Sequence, residues 1–246
     1  MVEAVAQCGV VYIVSGAFHA AAASQSARSV RATNPGLAID IFTDVPVEPG
    51  LFDQVELIAE GHLRSKIDYL PKSRFDRSLY LDSDTRVVGD IGPLFDVLER
   101  FEIALAHGHQ RHGTRQNIFW NEPIPEAFPQ INGGVILYRG SPRLRAFLES
   151  WRDAYHSAGF KWDQVTLREL MWKSDLRLYI LPPEYNIRYE KYLEVWDEEE
   201  ATPKILHLAR FYDELAADPA APRRKDNSLQ ARTRRAIKTL RRRLKL

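Results

Sequence analysis

The sequence predicts an α/β protein in which helices flank a mixed, mainly parallel sheet. Apolar, β-branched runs at residues 9–14 and 37–42 have strand length and enclose a segment of helical composition at 18–33. Strand, helix and strand within about 35 residues form the unit that joins parallel strands. Polar and charged residues follow several of the later apolar runs, and in open α/β sheets ligands bind where strands end.

The same patterns predict the remaining elements. Further strands are expected at 53–58, 76–81, 103–106, 135–138, 176–181 and 204–208, and helices at 64–70, 93–100, 142–155 and 165–172. Asp163 stands where an N-cap of the last helix would be. Residues 107–128 show little periodicity, which predicts a substrate-facing loop or a partly ordered lid.

Composition indicates a single soluble domain with a basic appendage. The chain has 246 residues, of which 45% are hydrophobic and 27% charged. The single Cys8 excludes an intrachain disulfide framework and, with no long apolar segment, predicts a cytoplasmic protein. The net charge of +1 conceals an asymmetry, because residues 223–246 hold eleven Lys and Arg and one Asp. We therefore expect a globular domain at 1–222 and a tail at 223–246.

Two carboxylates mark the end of the strand predicted at 76–81. Asp82 and Asp84 are two residues apart, and side by side they would repel each other unless a cation joined them. A hard divalent cation, Mn²⁺ or Mg²⁺, takes oxygen ligands and often keeps positions for substrate phosphates. The alternative is a solvated turn, since Asp and Ser are common turn residues.

Three later features strengthen the metal interpretation. They are Asn132-Gly133-Gly134 before a strand, Asp163-Gln164 at a helix start and His207 in a short apolar strand. In this order, and with Tyr80-Leu81-Asp82-Ser83-Asp84, they resemble the nucleotide-sugar glycosyltransferases of the GT-A fold, family 8, which includes glycogenin and bacterial lipopolysaccharide galactosyltransferases. The resemblance extends from about residue 10 to residue 207.

The resemblance implies a role for each matching residue. Asp82, Asp84 and His207 would bind the metal, and Asp163 or Gln164 would lie under the anomeric carbon of a retaining enzyme. The residues that would contact the donor, with uracil expected as its base, lie at strand ends or helix starts: Ser15, Gly16, Lys66, Ser83, Asn132, Gly133 and Gly134. The acceptor would be a glycan or a lipid-linked sugar of envelope or capsule synthesis.

One segment departs from the family pattern. After its metal-binding His the family usually has a Gly and then a Lys that grips the diphosphate, whereas here the segment at 208–213 contains neither. Arg210 could take over this pairing, since Arg binds phosphate well. A non-catalytic nucleotide-sugar-binding or scaffold protein of the same fold is the alternative function.

A haloacid-dehalogenase-type phosphatase is a second enzymatic alternative. Such enzymes also place Asp-x-Asp after an apolar strand, with the first Asp as nucleophile. Their motif has Thr or Val two residues after the second Asp, where this chain has Arg86, and it lies near the first strand. Both differences disfavour this interpretation.

The tail combines apolar and basic residues at near-helical spacing. Leu229, Ile237, Leu240 and Leu244 alternate with Arg and Lys, which is typical of a helix on an anionic membrane surface. A solvated terminus and a nucleic-acid-binding arm are the alternatives. We favour the membrane surface and expect no nucleic-acid partner.

Overall fold

The structure, a computed structural model, describes residues 7–223. The tail predicted at 223–246 therefore lies, apart from Arg223, outside the described residues. Within residues 7–223 nine strands are observed: β1 (Cys8–Val14), β2 (Ala38–Thr43), β3 (Gln54–Leu57), β4 (Arg77–Leu81), β5 (Thr85–Val87), β6 (Ile103–His107), β7 (Ile131–Arg139), β8 (Leu178–Ile180) and β9 (Ile205–His207). The α-helices are α1 (Ala17–Thr33), α2 (Lys66–Tyr69), α3 (Pro142–Ala158), α4 (Gln164–Lys173), α5 (Lys191–Val195) and α6 (Arg210–Ala217).

Seven strands form one sheet, in the order β3-β2-β1-β4-β7-β6-β8. The first four run parallel, β7 is antiparallel to both of its neighbours, and β8 is parallel to β6. This confirms the predicted mixed, mainly parallel sheet. A second, two-stranded sheet pairs β5 with β9 and sets Thr85 opposite His207. The small sheet thus brings His207 beside the residues that follow β4.

Apolar side chains cover both faces of the large sheet. Alternate residues of β1 point to opposite sides, so that Tyr12 packs on the α1 side and Val11 on the side of α3 and α4. Helix α1 buries small side chains at helical spacing, including Ala20, Ala23 and Ala27, and its Ser26 hydroxyl shares a 2.8 Å hydrogen bond with the Tyr12 hydroxyl. Burial on both sides fixes the sheet, and with it the strand ends.

The observed elements match the sequence predictions closely for the long segments and less well for the short ones. Strand β5 and helices α5 and α6 were not predicted, because segments of three to eight residues carry little periodicity. The segment predicted as a helix at 93–100 is a 3-10 helix, Gly92–Glu99. The predicted 64–70 helix is one turn, Lys66–Tyr69, followed by a 3-10 turn that contains Pro71.

The largest difference concerns β7. It begins at Ile131, so that Asn132, Gly133 and Gly134 belong to the strand rather than precede it. Asn132 pairs with Ala106 of β6 after a register shift. Glycine weakens an isolated strand, but it fits where another group must approach the backbone closely. In the described part of the chain, no helix is both long and apolar enough to cross a membrane.

Candidate active site

A cleft of about 450 Å³ opens at the carboxyl ends of β1 and β4. Of the residues predicted to form the site, all but Gly16 and Arg210 line it: Ser15, Lys66, Asp82, Ser83, Asp84, Asn132, Gly133, Gly134, Asp163, Gln164 and His207. The sheet order accounts for this convergence, because β1, β4 and β7 are adjacent and β9 is paired beside them. Residues far apart in the sequence therefore share one cleft.

Asp82, Asp84 and His207 converge on one point. The His207 Nε2 atom lies 3.2 Å from Asp84 Oδ1 and 3.6 Å from Asp82 Oδ2. His207 is only 2% exposed, and Asp84 is also buried. Burial by itself would raise the pKa of Asp82, but the Lys66 ammonium and His207 lower it below its ordinary value. Two carboxylates and a ring nitrogen are thus directed at one another.

A chain of hydrogen bonds fixes the tautomer of His207. The Gly134 N–H donates to Asn132 Oδ1 at 2.9 Å, and the Asn186 amide donates to the same oxygen at 3.2 Å. Asn186 therefore presents its own Oδ1 to His207 Nδ1, at 2.8 Å, so that Nδ1 carries the proton. In the neutral ring Nε2 is then a bare lone pair, facing two carboxylate oxygens. A bound cation would turn this repulsive contact into a set of three ligands, which is the usual arrangement around metal-binding histidines.

Gly134 is required by the trio of Asp82, Asp84 and His207. A Cβ atom at this position would lie 2.1 Å from His207 Cε1 and 2.6 Å from Asp82 Oδ2. At Gly133 the nearest atoms, Asp163 Oδ2 and Lys66 Nζ, would both lie at 3.4 Å, an ordinary contact. Position 134 therefore excludes any side chain, whereas position 133 only borders the cleft.

Lys66 lies at the base of the cleft between two carboxylates. Its ammonium donates to the Gly133 carbonyl at 2.6 Å and lies 3.4 Å from both Asp82 Oδ1 and Asp163 Oδ2. Tyr80 donates its hydroxyl to Asp82 Oδ1 at 2.6 Å, and burial together with that carboxylate raises the pKa of Tyr80 well above its ordinary value. Both groups contact the Oδ1 oxygen of Asp82, so that its other oxygen, Oδ2, faces His207.

Asp163 differs from the capping role expected of it. It precedes α4, but its side chain makes no capping hydrogen bond, and its carboxylate instead lies 3.4 Å from Arg64 Nε. Its backbone carbonyl accepts a hydrogen bond from the Trp151 indole at 3.1 Å. The buried Asp163 carboxylate is therefore turned inward to Lys66 and Arg64, and the next residue, Gln164, faces the cleft.

The loop after β1 is fixed by a residue that the sequence analysis did not single out. Asp44 follows β2 and accepts hydrogen bonds from the Ser15 hydroxyl and the Gly16 N–H, both at 2.6 Å. Gly16 has a φ of 81°, a value that favours glycine. The position of Asp44 at the end of a predicted strand was the available signal, since the neighbouring strand β1 ends at the same edge.

Arg210 does not reach the cleft. Its guanidinium lies 2.7 Å from Glu190 Oε1 and 3.5 Å from Glu214 Oε1, on the outer side of α6. Two residues further on, Tyr212 does line the cleft, and its hydroxyl shares a 2.8 Å hydrogen bond with Ser83. Two arginines that the sequence analysis did not place in the site, Arg64 and Arg188, line the cleft, and Arg188 Nη1 lies 3.9 Å from Asp84 Oδ2. Its segment, 186–188, carried no recognisable motif.

A comparison with protein-family models identifies the chain. Residues 77–214, more than half of the sequence, match the model for nucleotide-diphospho-sugar transferases. The chain belongs to this family. The resemblance to family 8 transferases and the α/β fold predicted from the sequence are confirmed. A comparison with curated protein sequences finds no match.

Solved glycosyltransferase structures share the fold of this transferase. The galactosyltransferase LgtC, in complex with donor and acceptor sugar analogues, aligns with a TM-score of 0.58 and 18% identity over 89% of this chain and 90% of its own. The glycosyltransferase GlyE of Streptococcus pneumoniae TIGR4 aligns with a TM-score of 0.55 and 21% identity over 81% of this chain. The present chain spans 54% of the GlyE chain and 45% of the bifunctional glycosyltransferase WbbM.

A second cleft of about 370 Å³ adjoins the first. The two clefts share four residues: Asn132, Trp162, Gln164 and Arg188. The amides of Gln110, Gln116 and Gln130 line the second cleft. Gln164 therefore stands on the boundary between two cavities of this transferase.

Two buried charges of α4 hold the loop at 107–128, which forms part of that second cleft. Arg168 donates to the carbonyls of Phe128 at 2.7 Å and Ile124 at 3.1 Å. Glu169 accepts from the N–H groups of Trp120 at 3.0 Å and Asn121 at 2.8 Å. Both side chains come from the helix that begins at Gln164. The loop is thus fastened to the helix that carries a predicted catalytic residue.

A second group of possible metal ligands, His62, Asp68 and His156, lies at the rim of the cleft. His62 Nδ1 accepts a 3.1 Å hydrogen bond from the Arg64 N–H, so that in the neutral ring the proton is on Nε2, facing Asp68. His156 Nε2 lies 2.6 Å from the other oxygen of Asp68. These hydrogen bonds join Asp68 of α2 to His156 of α3 and to His62, an arrangement consistent with a structural role rather than with a metal centre.

Proposed function

We propose that the protein transfers a glycosyl group from a nucleoside-diphosphate sugar, with UDP as its nucleotide, to a hydroxyl acceptor. The transfer depends on a divalent metal, Mn²⁺ or Mg²⁺, and proceeds with retention at the anomeric carbon. The acceptor is a glycan or lipid-linked sugar of envelope or capsule synthesis, and the enzyme works in the cytoplasm at the inner face of a membrane.

The observation that carries the proposal is the trio of Asp82, Asp84 and His207. Hydrogen bonds outside the trio direct Asp82 Oδ2 and the His207 Nε2 lone pair to the same point. One histidine and two carboxylates suit a hard divalent cation and leave coordination positions for phosphate oxygens. Such a cation would supply positive charge for the diphosphate that leaves when the sugar–phosphate bond breaks.

The residues of the chain divide the remaining tasks. Asp44 accepts hydrogen bonds from Ser15 and Gly16 at the carboxyl end of β1, where these two residues would contact the base. Lys66 lies between the carboxylates of Asp82 and Asp163, and adds positive charge below the diphosphate. Gln164 faces both cavities and is therefore the group that would lie under the anomeric carbon, between donor and acceptor.

The second cleft fits the acceptor. Side-chain amides offer both donors and acceptors of hydrogen bonds, which match the hydroxyl groups of a sugar. The cleft shares Gln164 with the donor side, so an acceptor bound there would approach the bond to be broken. The LgtC structure contains donor and acceptor sugar analogues, a precedent for two sites on this fold.

Donor hydrolysis tests the proposal. Purified protein is incubated with UDP-glucose, UDP-galactose and UDP-N-acetylglucosamine in Mn²⁺ or in EDTA, and released UDP is measured. We expect slow hydrolysis of one donor in Mn²⁺, none in EDTA, and a loss of at least about 100-fold in both Asp82→Asn and Asp84→Asn. Unchanged hydrolysis and metal dependence in both variants would contradict the proposed site.

The same assay separates the enzyme from the alternative, a nucleotide-sugar-binding or scaffold protein. A binding module would be stabilised by the nucleotide in thermal unfolding but would release no UDP. At 100 times the dissociation constant a ligand stabilises a protein by about 2.7 kcal/mol, which is readily measured. Stabilisation without hydrolysis or transfer would favour the alternative function.

A further inference from the structure

The family pattern places a diphosphate-binding Lys after the metal-binding His, and this chain lacks it. In its place α6 begins at Arg210, three residues after His207. Arg210 forms ion pairs with Glu190 and Glu214, and its side chain is 48% exposed. The cation that this segment would normally supply must therefore come from another element, if the proposed function is correct.

The backbone fixes Arg188 beside the metal-binding trio. Ile187 accepts a hydrogen bond from the His207 N–H at 2.9 Å and donates to the Ile205 carbonyl at 3.0 Å. The preceding residue, Asn186, orients the His207 ring. The tripeptide 186–188 thus runs along β9, with the Asn186 amide at His207 Nδ1 and the Arg188 guanidinium near Asp84.

The Nη1 atom of Arg188 is buried at the cleft and only weakly engaged, although the side chain as a whole is 28% exposed. This Nη1 atom has no hydrogen-bond partner within residues 7–223, and the nearest anionic group, Asp84 Oδ2, lies 3.9 Å away. That distance exceeds a hydrogen bond. A buried guanidinium N–H without an acceptor is costly, and it becomes favourable when a ligand oxygen fills the space.

We propose that Arg188 binds the diphosphate of the donor and replaces the missing lysine of the family. It is 3.9 Å from one carboxylate of the trio, so phosphate oxygens bound at the trio would lie within reach of its planar, two-pronged donor group. The inference rests on the proposed function, because it assumes a nucleoside-diphosphate donor.

The other cations of the cleft are engaged elsewhere. Lys66 donates to the Gly133 carbonyl and lies between Asp82 and Asp163. Arg64 Nε also lacks a hydrogen-bond partner within residues 7–223, but it forms a closer ion pair than Arg188, at 3.4 Å from Asp163 Oδ1. Both neutralise carboxylates on the side of α4, whereas Arg188 approaches Asp84 from the side of β9.

Binding measurements on two variants of Arg188 and one control variant of Arg210 test the assignment. Dissociation constants of UDP, UMP and uridine in Mn²⁺ are measured by calorimetry for the wild type, Arg188→Gln, Arg188→Lys and the matched control Arg210→Gln. GDP, CDP and ADP are used in the same way if UDP does not bind. In Arg188→Gln we expect the dissociation constant of the diphosphate to rise about 10- to 100-fold and that of uridine to change less than about 2-fold. Arg188→Lys should recover part of the loss, and Arg210→Gln should bind like the wild type.

Three results would overturn the assignment. Equal losses for UDP and uridine in Arg188→Gln would indicate a structural role. Wild-type UDP binding in Arg188→Gln, with slower transfer to acceptor, would assign Arg188 to the second cleft. Failure of all four diphosphates to bind the wild type would reject the proposed function itself, and the assignment with it.

Discussion

Substitution of Gly134 by Ala tests whether the backbone of β7 is shaped around the trio. Ala normally stabilises a strand interior relative to Gly by about 0.5–1 kcal/mol, because it reduces the freedom of the unfolded chain. At residue 134, however, the new Cβ would lie 2.1 Å from His207 Cε1 and 2.6 Å from Asp82 Oδ2, both fixed by their own hydrogen bonds. We expect overpacking to cost about 1–3 kcal/mol.

Thermal unfolding in Mn²⁺ and in EDTA measures the effect, with Gly133→Ala as the control. For a chain of this size, 1 kcal/mol corresponds to about 2–4 °C, so Gly134→Ala should lower the Tm by several degrees. It should also lose the stabilisation by Mn²⁺ that we expect of the wild type. In Gly133→Ala, where the nearest contacts are 3.4 Å, the Tm should stay within about 2 °C of the wild type. Identical behaviour of the two variants would refute the argument.

Three further predictions follow from other contacts. Asn186→Ala removes the acceptor that fixes His207 Nδ1–H, and should weaken Mn²⁺ affinity about 10- to 100-fold by calorimetry; an unchanged affinity would contradict the tautomer argument. Burial by itself would raise the pKa of Glu169, but Lys173 and the backbone N–H donors that face its carboxylate lower it below its ordinary value. The stability that the Glu169 carboxylate gives the loop should therefore be present above the ordinary carboxyl pKa and lost as the pH falls through the lowered pKa. The protection factors of amides 120–122, taken relative to the intrinsic exchange rate at each pH, should then fall on acidification in the wild type and vary little with pH in Glu169→Gln, whose side chain does not titrate. Deletion of residues 223–246 should reduce binding to anionic vesicles and leave donor hydrolysis largely intact; equal vesicle binding would exclude a membrane role for the tail.

The sequence predicted the large sheet because its strands are long and apolar. Strands β1, β2, β4 and β6 are buried on both faces, so they appear as continuous apolar runs whose ends differ from the prediction by at most one residue. The two-stranded sheet left no such signal. Its strands are three residues long, and their pairing of Thr85 with His207 depends on a contact across more than a hundred residues.

The site was predictable where a residue type has a direct chemical task and hidden where the task is to hold another residue. Asp82, Asp84 and His207 are potential ligands, and together they stand out in the sequence. Asn186 and Asp44 bind a ring nitrogen and a backbone N–H, and such partners are defined only by the fold. The irregular loop at 107–128 was expected to be a substrate-facing loop or a lid, yet the charges that fasten it lie on α4, outside the loop.

The charges of the cleft give a further reason to expect a cation. Among the described residues that line it, Arg64, Lys66 and Arg188 balance Asp82, Asp84 and Asp163. A nucleotide sugar carries one negative charge on each of its two phosphates, so a cleft without net charge would bring these phosphates beside Asp82 and Asp84 with little compensation. A divalent cation at the trio would restore neutrality with the donor bound. When the sugar departs, the diphosphate gains a further negative charge, and Arg188 is the cleft arginine closest to where that charge would develop. If this is correct, Arg188→Gln should slow transfer more than it weakens binding of the intact donor, because the arginine would interact more strongly with the leaving group than with the substrate.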